Sequence, residues 1–175
     1  LGRAKYAWAG AWGGGGFTAH GTSGTLLGRP DMVVVRKNNI FENDAGVSIS
    51  GANYGESEVL RNFIVEENTI AYNKDMEVWV AAGQNITIRN NIIKSSGSTS
   101  IAVDLKFQAE DLNTDNVDIY HNTIYNEVAT AIGNGDQQTH TDVRNNIIVG
   151  DGVFKLGIFD FYTNNLEKRT NQVLN

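Results

Sequence analysis

The sequence predicts an all-β chain wound into a stack of short coils, and three observations carry that prediction. A six-residue phrase recurs six times: an apolar residue, two variable residues, Asn, one variable residue, then Ile or Leu. It runs Val35-x-x-Asn38-x-Ile40, Val65-x-x-Asn68-x-Ile70, Ile88-x-x-Asn91-x-Ile93, Ile119-x-x-Asn122-x-Ile124, Val143-x-x-Asn146-x-Ile148 and Phe161-x-x-Asn164-x-Leu166. The asparagines are 30, 23, 31, 24 and 18 residues apart, close to the spacing of about 20–50 residues that marks stacked repeats. Composition agrees, because 19 glycines and 21 asparagines against one proline supply many tight turns.

The elements of one coil follow in order from residues 86–103. Ile86-Thr87-Ile88 alternates and is β-branched, so it reads as a strand. Arg89-Asn90-Asn91 turns the chain, and Ile92-Ile93-Lys94 resumes extended structure. A second turn surrounds Gly97, and Ile101-Ala102-Val103 is a third strand with Ile101 and Val103 on one face. The third strand recurs as Val47-Ser48-Ile49, Val78-Trp79-Val80, a poor Ala131-Ile132, and Leu156-Gly157-Ile158. A slip of one residue would turn these apolar faces outward, so register is well specified. The repeated asparagine is expected in a left-handed backbone at the turn. There its amide can bond the equivalent asparagine of the next coil, while the Ile two residues later builds an inward aliphatic stack.

The segments "VVVRKNNIFEND", "FIVEENTIAYN", "ITIRNNIIKSS", "VDIYHNTIYNE" and "TDVRNNIIVGD" resemble right-handed parallel β-helix proteins of the pectate-lyase-like superfamily. The resemblance implies a single-stranded parallel β-helix of about six to seven rungs with Asn and Ile ladders. It divides the chain into a degraded first rung and Gly/aromatic-rich cap or loop over 1–32, β-helix repeats over 33–166, and a polar tail over 167–175. Phe17 is the expected core residue of the degraded rung. The superfamily implies polysaccharide lyases, hydrolases and epimerases, together with phage tail proteins and non-catalytic modules. No segment resembles its activity motifs.

Composition narrows the partners. A net charge of −6 and a pI near 5.0 argue against a nucleic-acid groove or an anionic membrane surface. No apolar run approaches the ~20 residues of a membrane span. Without cysteine, disulfides, thiolate zinc sites and cysteine nucleophiles are all excluded. The chain starts at Leu1 without a signal-peptide pattern, and a secreted, extracellular protein that has lost its signal is the expectation.

Function is expected where length varies, in loops after the third strand at 19–32, 51–58, 82–85, 105–116 and 133–141. These would wall a groove along the outward face of the third strands. Alternation places Ser48, Trp79, Ala102 and Gly133 in one outward column, Ser50, Ala81 and Asp104 in the next, and Glu77 and Ser100 in a third. Trp79, with small neighbours, is either a sugar-stacking platform or a residue covered by loop 51–58 or 105–116. Asp104 and Glu77 form the carboxylate pair that a glycoside hydrolase needs. A uronic-acid lyase needs a base and a cation on the substrate carboxylate; Lys106 or His20 is the candidate base and Arg61 the neutraliser. Tyr54 is a further substrate-binding candidate, and His140 lies nearby. His121, beside a ladder asparagine, reads as structural, and no metal site is expected from the histidines. The chemistry requires no cofactor. Residues 111–122 hold half of a calcium-loop pattern, which fails at Asn116 and Asn122, so Ca2+ is only weakly supported.

We therefore read the chain as a carbohydrate-active β-helix domain that binds an acidic polysaccharide in a groove along the third strands, with its cleavage, by a lyase or hydrolase reaction, left open. The alternative is a non-catalytic carbohydrate-binding or structural module, as a fragment of a larger protein. A further alternative is a partner-free role through end-to-end or side-by-side self-association.

Overall fold

The computed structural model describes residues 16–20, 32–50, 52–53, 56–57, 60–95, 102–106, 114–126, 130–134, 139–150, 157–160, 166–169 and 172–174. The coil opens with β1 (Phe17–His20), β2 (Val33–Arg36), β3 (Asn39–Phe41) and β4 (Ala45–Ser50). A short hairpin, β5 (Ala52–Asn53) with β6 (Glu56–Ser57), precedes β7 (Leu60–Glu66), β8 (Thr69–Ala71) and β9 (Met76–Ala81). The next turn of the coil is β10 (Gly83–Arg89), β11 (Ile92–Ser95) and β12 (Val103–Lys106). It is followed by β13 (Asp115–Tyr120), β14 (Thr123–Asn126) and β15 (Thr130–Asn134). The last strands are β16 (Thr139–Arg144), β17 (Ile147–Gly150), β18 (Gly157–Asp160), β19 (Leu166–Arg169) and β20 (Gln172–Leu174).

Each third strand pairs with the third strand of the next coil, and so on, giving three six-stranded parallel sheets. Sheet A runs β1-β4-β9-β12-β15-β18, sheet B β2-β7-β10-β13-β16-β19, and sheet C β3-β8-β11-β14-β17-β20. Sheets B and C meet at the predicted asparagine turn. Inward stacks form where β-branched residues repeat: Val35, Val65, Ile88, Ile119 and Val143 in sheet B, and Ile40, Ile70, Ile93, Ile124 and Ile148 in sheet C. Sheet A adds Val47, Val78, Val103 and Ile132.

The asparagine ladder is continuous from Asn38 through Asn68, Asn91 and Asn122 to Asn146. In every step the backbone N and Nδ2 of one asparagine donate to Oδ1 of the next at 2.9–3.1 Å. Nδ2 of Asn68, Asn91, Asn122 and Asn146 also donates to a carbonyl of the preceding coil, at Val35, Val65, Ile88 and Ile119. The left-handed backbone belongs to the residue before each of these asparagines, at Lys37, Glu67, Asn90, His121 and Asn145, with φ of 53–58°. The ladder asparagine is fixed by its amide bonds, not by a positive φ. His121 sits at such a turn and is exposed.

Three expectations need correction. The third strand of the middle coil is Val103–Lys106, two residues later than Ile101–Val103, because Val103 and Leu105 fill the inward places opposite Val78 and Val80. Ala102 falls before the strand, its carbonyl accepting from Val78 N at 2.9 Å. Residues 82–85 are not a loop: Ala82 alone, at φ 55°, separates β9 from β10. The expected tail instead supplies β19, opposite β16, and β20, opposite β17. Gln172 pairs with Ile147, so the phrase in register with Val143-x-x-Asn146-x-Ile148 is Lys168-x-x-Asn171-x-Val173. Phe161, Asn164 and Asn171 lie outside the described residues. Phe17 of β1 pairs with Val47 of β4.

Candidate functional site

The outward face of sheet A is built by alternation against the inward pairs Val47/Ile49, Val78/Val80 and Val103/Leu105. One register column runs through positions 18, 48, 79, 104, 133 and 159, and its described side chains at Ser48, Trp79 and Asp104 point outward. The two-residue shift of β12 thus brings Asp104 directly beside Trp79, one strand spacing of about 4.8 Å away. The next column is His20, Ser50, Ala81 and Lys106. His20 and Lys106 are placed here by backbone register alone, three strand spacings or roughly 14 Å apart, so they are alternatives and not a pair.

This face is more covered than the expected open groove. Ser48 and Asp104 are 4% exposed, Ser50 and Ala81 fully buried, and Trp79 half-buried. The indole Nε1 of Trp79 is buried without a hydrogen-bond partner among the described residues. A buried indole N–H ordinarily finds an acceptor, so this donor is the main polar irregularity of the face.

Glu77 was expected in the groove, and its carboxylate is committed elsewhere. Asn43 donates its backbone N (3.0 Å) and Nδ2 (3.1 Å) to Asn73 Oδ1. Asn73 in turn donates its backbone N to Glu77 Oε1 at 3.1 Å and its Nδ2 to Glu77 Oε2. Asn43 and Asn73 lie five residues after the ladder residues Asn38 and Asn68. Five residues after Asn91 the sequence has Ser96, and the fully buried Glu77 carboxylate closes this second ladder in place of a third amide. The same corner explains Gly46. A Cβ there would lie 2.4 Å from the Glu77 carbonyl oxygen and 2.8 Å from Asn73 Nδ2, so no side chain fits.

Burial pushes the Glu77 carboxyl up to about 7, with the two Asn73 donors offsetting only part of the effect. Its folded pKa is therefore above its unfolded value. The stabilisation is fully present below about pH 4.5, the ordinary range of a glutamate, and is lost as pH rises through about 7. We expect the urea midpoint of the wild type to fall across this window, by about 3 kcal/mol or less of unfolding free energy. Glu77→Gln retains an acceptor for Asn73 and should lack this component. Parallel pH profiles of the two proteins would refute the assignment.

Arg61, the second residue of β7, lies on the sheet B side of the Ala82 corner, is exposed, and donates its Nε to Gln84 Oε1 at 2.9 Å. It shares a register row with Gln84, Asp115 and Thr139, and not with Trp79. Next to that row, Asn62, Asn85, Asn116 and His140 all adopt φ of 53–62°. Asn116 Nδ2 donates to Asn85 Oδ1 at 2.8 Å, and Asn85 Nδ2 to Asn62 Oδ1 at 3.1 Å, forming a short exposed ladder. His140 Nδ1 lies 2.9 Å from Asp115 Oδ1. Tyr54 and Ser100 lie outside the described residues. Among the described residues no group of three or more His, Cys, Asp or Glu side chains could hold a metal ion.

Sequence reasoning missed the outward column of sheet B. Arg36, Glu66, Arg89, Tyr120 and Arg144 each lie two residues before a ladder asparagine, a signal visible in the phrase itself. Glu66, 2% exposed, takes Arg36 Nε at 2.5 Å and Arg89 Nε at 2.7 Å on separate oxygens. Burial alone would raise its carboxyl, but the Arg36 and Arg89 guanidiniums outweigh that and hold it below the usual range. Arg89 Nη1 donates to Tyr120 OH at 3.0 Å, and the Arg144 guanidinium stacks 4.4 Å from the Tyr120 ring centroid. Arg144 also pairs with Asp118 and Asp142. These charges satisfy one another, so the column is a structural brace.

Comparison with known proteins fits this geometry. The family model for the right handed beta helix region matches residues 14–173. The chain belongs to that family: it is a right-handed parallel β-helix domain, with the pectate-lyase-like superfamily as its broad class. No curated protein and no solved structure matches the chain.

Proposed function

We propose that this β-helix domain binds an extended polysaccharide along the outward face of sheet A, centred on Trp79 and Asp104. The observation that carries the reading is the half-buried Trp79, an outward aromatic beside Ser48 and Asp104. The exposed part of the indole would stack on a sugar ring. A ligand of this kind fits a secreted protein.

Cleavage is the second reading. Lys106 follows Asp104 by two residues on β12, so both belong to the same face, and a lyase base beside an acidic sugar remains compatible with that placement. A two-carboxylate hydrolase finds less support, since Glu77 is held by Asn73.

Trp79→Ala should weaken oligosaccharide binding by about 1 kcal/mol or more with a small loss of stability. Calorimetry with neutral and acidic oligosaccharides, beside a melt of each protein, tests this. A markedly lower melting temperature with unchanged affinity would mean that Trp79 only packs. Turnover on the same panel, read as unsaturated product and as reducing ends, separates lyase, hydrolase and binder, and Asp104→Asn and Lys106→Ala then locate the chemistry.

A further inference from the structure

Sheet C presents a second outward surface, and its character differs from both other faces. Phe41 and Ile92 are each 56% exposed and Ile147 is 40% exposed, on β3, β11 and β17. Ile92 and Ile147 share one register column with Thr123 between them, Phe41 lies in the column of Lys94 and Tyr125, and apolar and aromatic side chains gathered on one outward face ordinarily mark a binding surface. Lys94 is the one charged residue among the described outward positions of β3, β8, β11, β14 and β17. It is tied to its neighbours: Nζ donates to Tyr72 OH at 2.5 Å and lies 4.7 Å and 5.2 Å from the Tyr72 and Tyr125 ring centroids. The rungs bearing these two tyrosines are two strand spacings, roughly 10 Å, apart.

We propose that this face is a docking strip for a neutral, extended polysaccharide chain, separate from the sheet A site. Size argues for a linear ligand. Six strands about 4.8 Å apart and three to four residues wide give roughly 400 Å² of face, against the ~800 Å² per partner of a stable protein interface. Charge argues for a neutral one, because the protein is net −6 and the only described cation on the strip is already engaged. Flatness and chemistry complete the match. Tyrosine rings and branched aliphatic side chains meet the apolar faces of sugar rings, and Thr69 and Thr123, in the Ile92 register row, offer hydroxyls to their edges. The strip does not depend on the sheet A reading, since it lies on a different sheet and shares no residue with it.

The test uses the whole chain and microcrystalline cellulose as the solid probe. Sedimentation of the suspension should retain the wild type at low and high salt alike. Ile92→Lys should reduce the partition coefficient by about tenfold and Tyr125→Ser by several-fold, while Trp79→Ala remains retained. Ile92 is exposed, so folding of that variant, checked by its melt, should be intact. The proposal is overturned if the wild type is not retained, if salt removes it, if both strip variants bind as the wild type does, or if Trp79→Ala alone abolishes retention. It is equally overturned if analytical ultracentrifugation shows a wild-type dimer that Ile92→Lys dissolves, for then the strip is a contact between copies.

Discussion

Asn91→Leu should lower the unfolding free energy by about 3 kcal/mol or more, one of the two largest single-residue effects expected in the coil. Asn91 is 1% exposed, and its Oδ1 accepts both the backbone N and Nδ2 of Asn68. Its Nδ2 serves the Val65 carbonyl and Asn122 Oδ1. Leucine has similar bulk but leaves these buried donors and acceptors short of partners, each at about 1–3 kcal/mol. Its neighbour Asn90 provides the internal control. Asn90 is exposed at φ 55°, and the equivalent place is taken by Lys, Glu and His in other coils, at Lys37, Glu67 and His121. Asn90→Leu therefore costs only the left-handed backbone preference, roughly 1 kcal/mol. Equal urea midpoints for the two mutants would remove the ladder from the account.

Ile93→Ala should cost about 2–5 kcal/mol. Ile93 is fully buried between Ile70 and Ile124, in direct register with both, and belongs to the continuous hydrophobic core. Parallel sheets on three sides restrict collapse around the missing atoms, which favours the upper part of that range. Lys94→Ala, one residue on and outward, loses the Tyr72 hydrogen bond and the ring contacts, for a total of about 1 kcal/mol. A Lys94 effect larger than that of Ile93 would reverse the inside and outside of sheet C.

The main repeat was legible because one residue type does one job in every coil. Asparagine at the turn and isoleucine two residues later cannot exchange roles, so their period survives loops of any length. The middle third strand was misplaced because Ile101, Val103 and Leu105 alternate without a break, and any two consecutive members satisfy the pattern. Only pairing with Val78 and Val80 chooses Val103 and Leu105. That choice moves Asp104 to Trp79, so the heart of the candidate site was off by one column. The last coil was misread for a related reason. Asn164 precedes Leu166 in a locally good phrase, whereas Asn171 lies in a polar one, and strand pairing with β16 and β17 decides against local resemblance.

Glu77 shows what a single sequence hides. An acid on an outward strand position beside an aromatic reads as catalytic. Its actual role depends on Asn73, four residues earlier, and on an asparagine that the following coil lacks. The Arg36–Glu66–Arg89 brace was hidden differently. Its members are two residues before each ladder asparagine, but charges on an outward strand look merely solvated until neighbouring coils are in register.

The central claim is that the outward indole of Trp79 stacks on a sugar. It is tested most directly by the Nε1–H cross-peak of Trp79 in a proton–nitrogen correlation spectrum, assigned by its loss in Trp79→Phe. During titration with neutral and acidic oligosaccharides the cross-peak should move and saturate for at least one class, ahead of the other two indole signals. A Trp79 cross-peak that stays fixed through every titration, while the folded protein remains intact, would contradict the proposed glycan site.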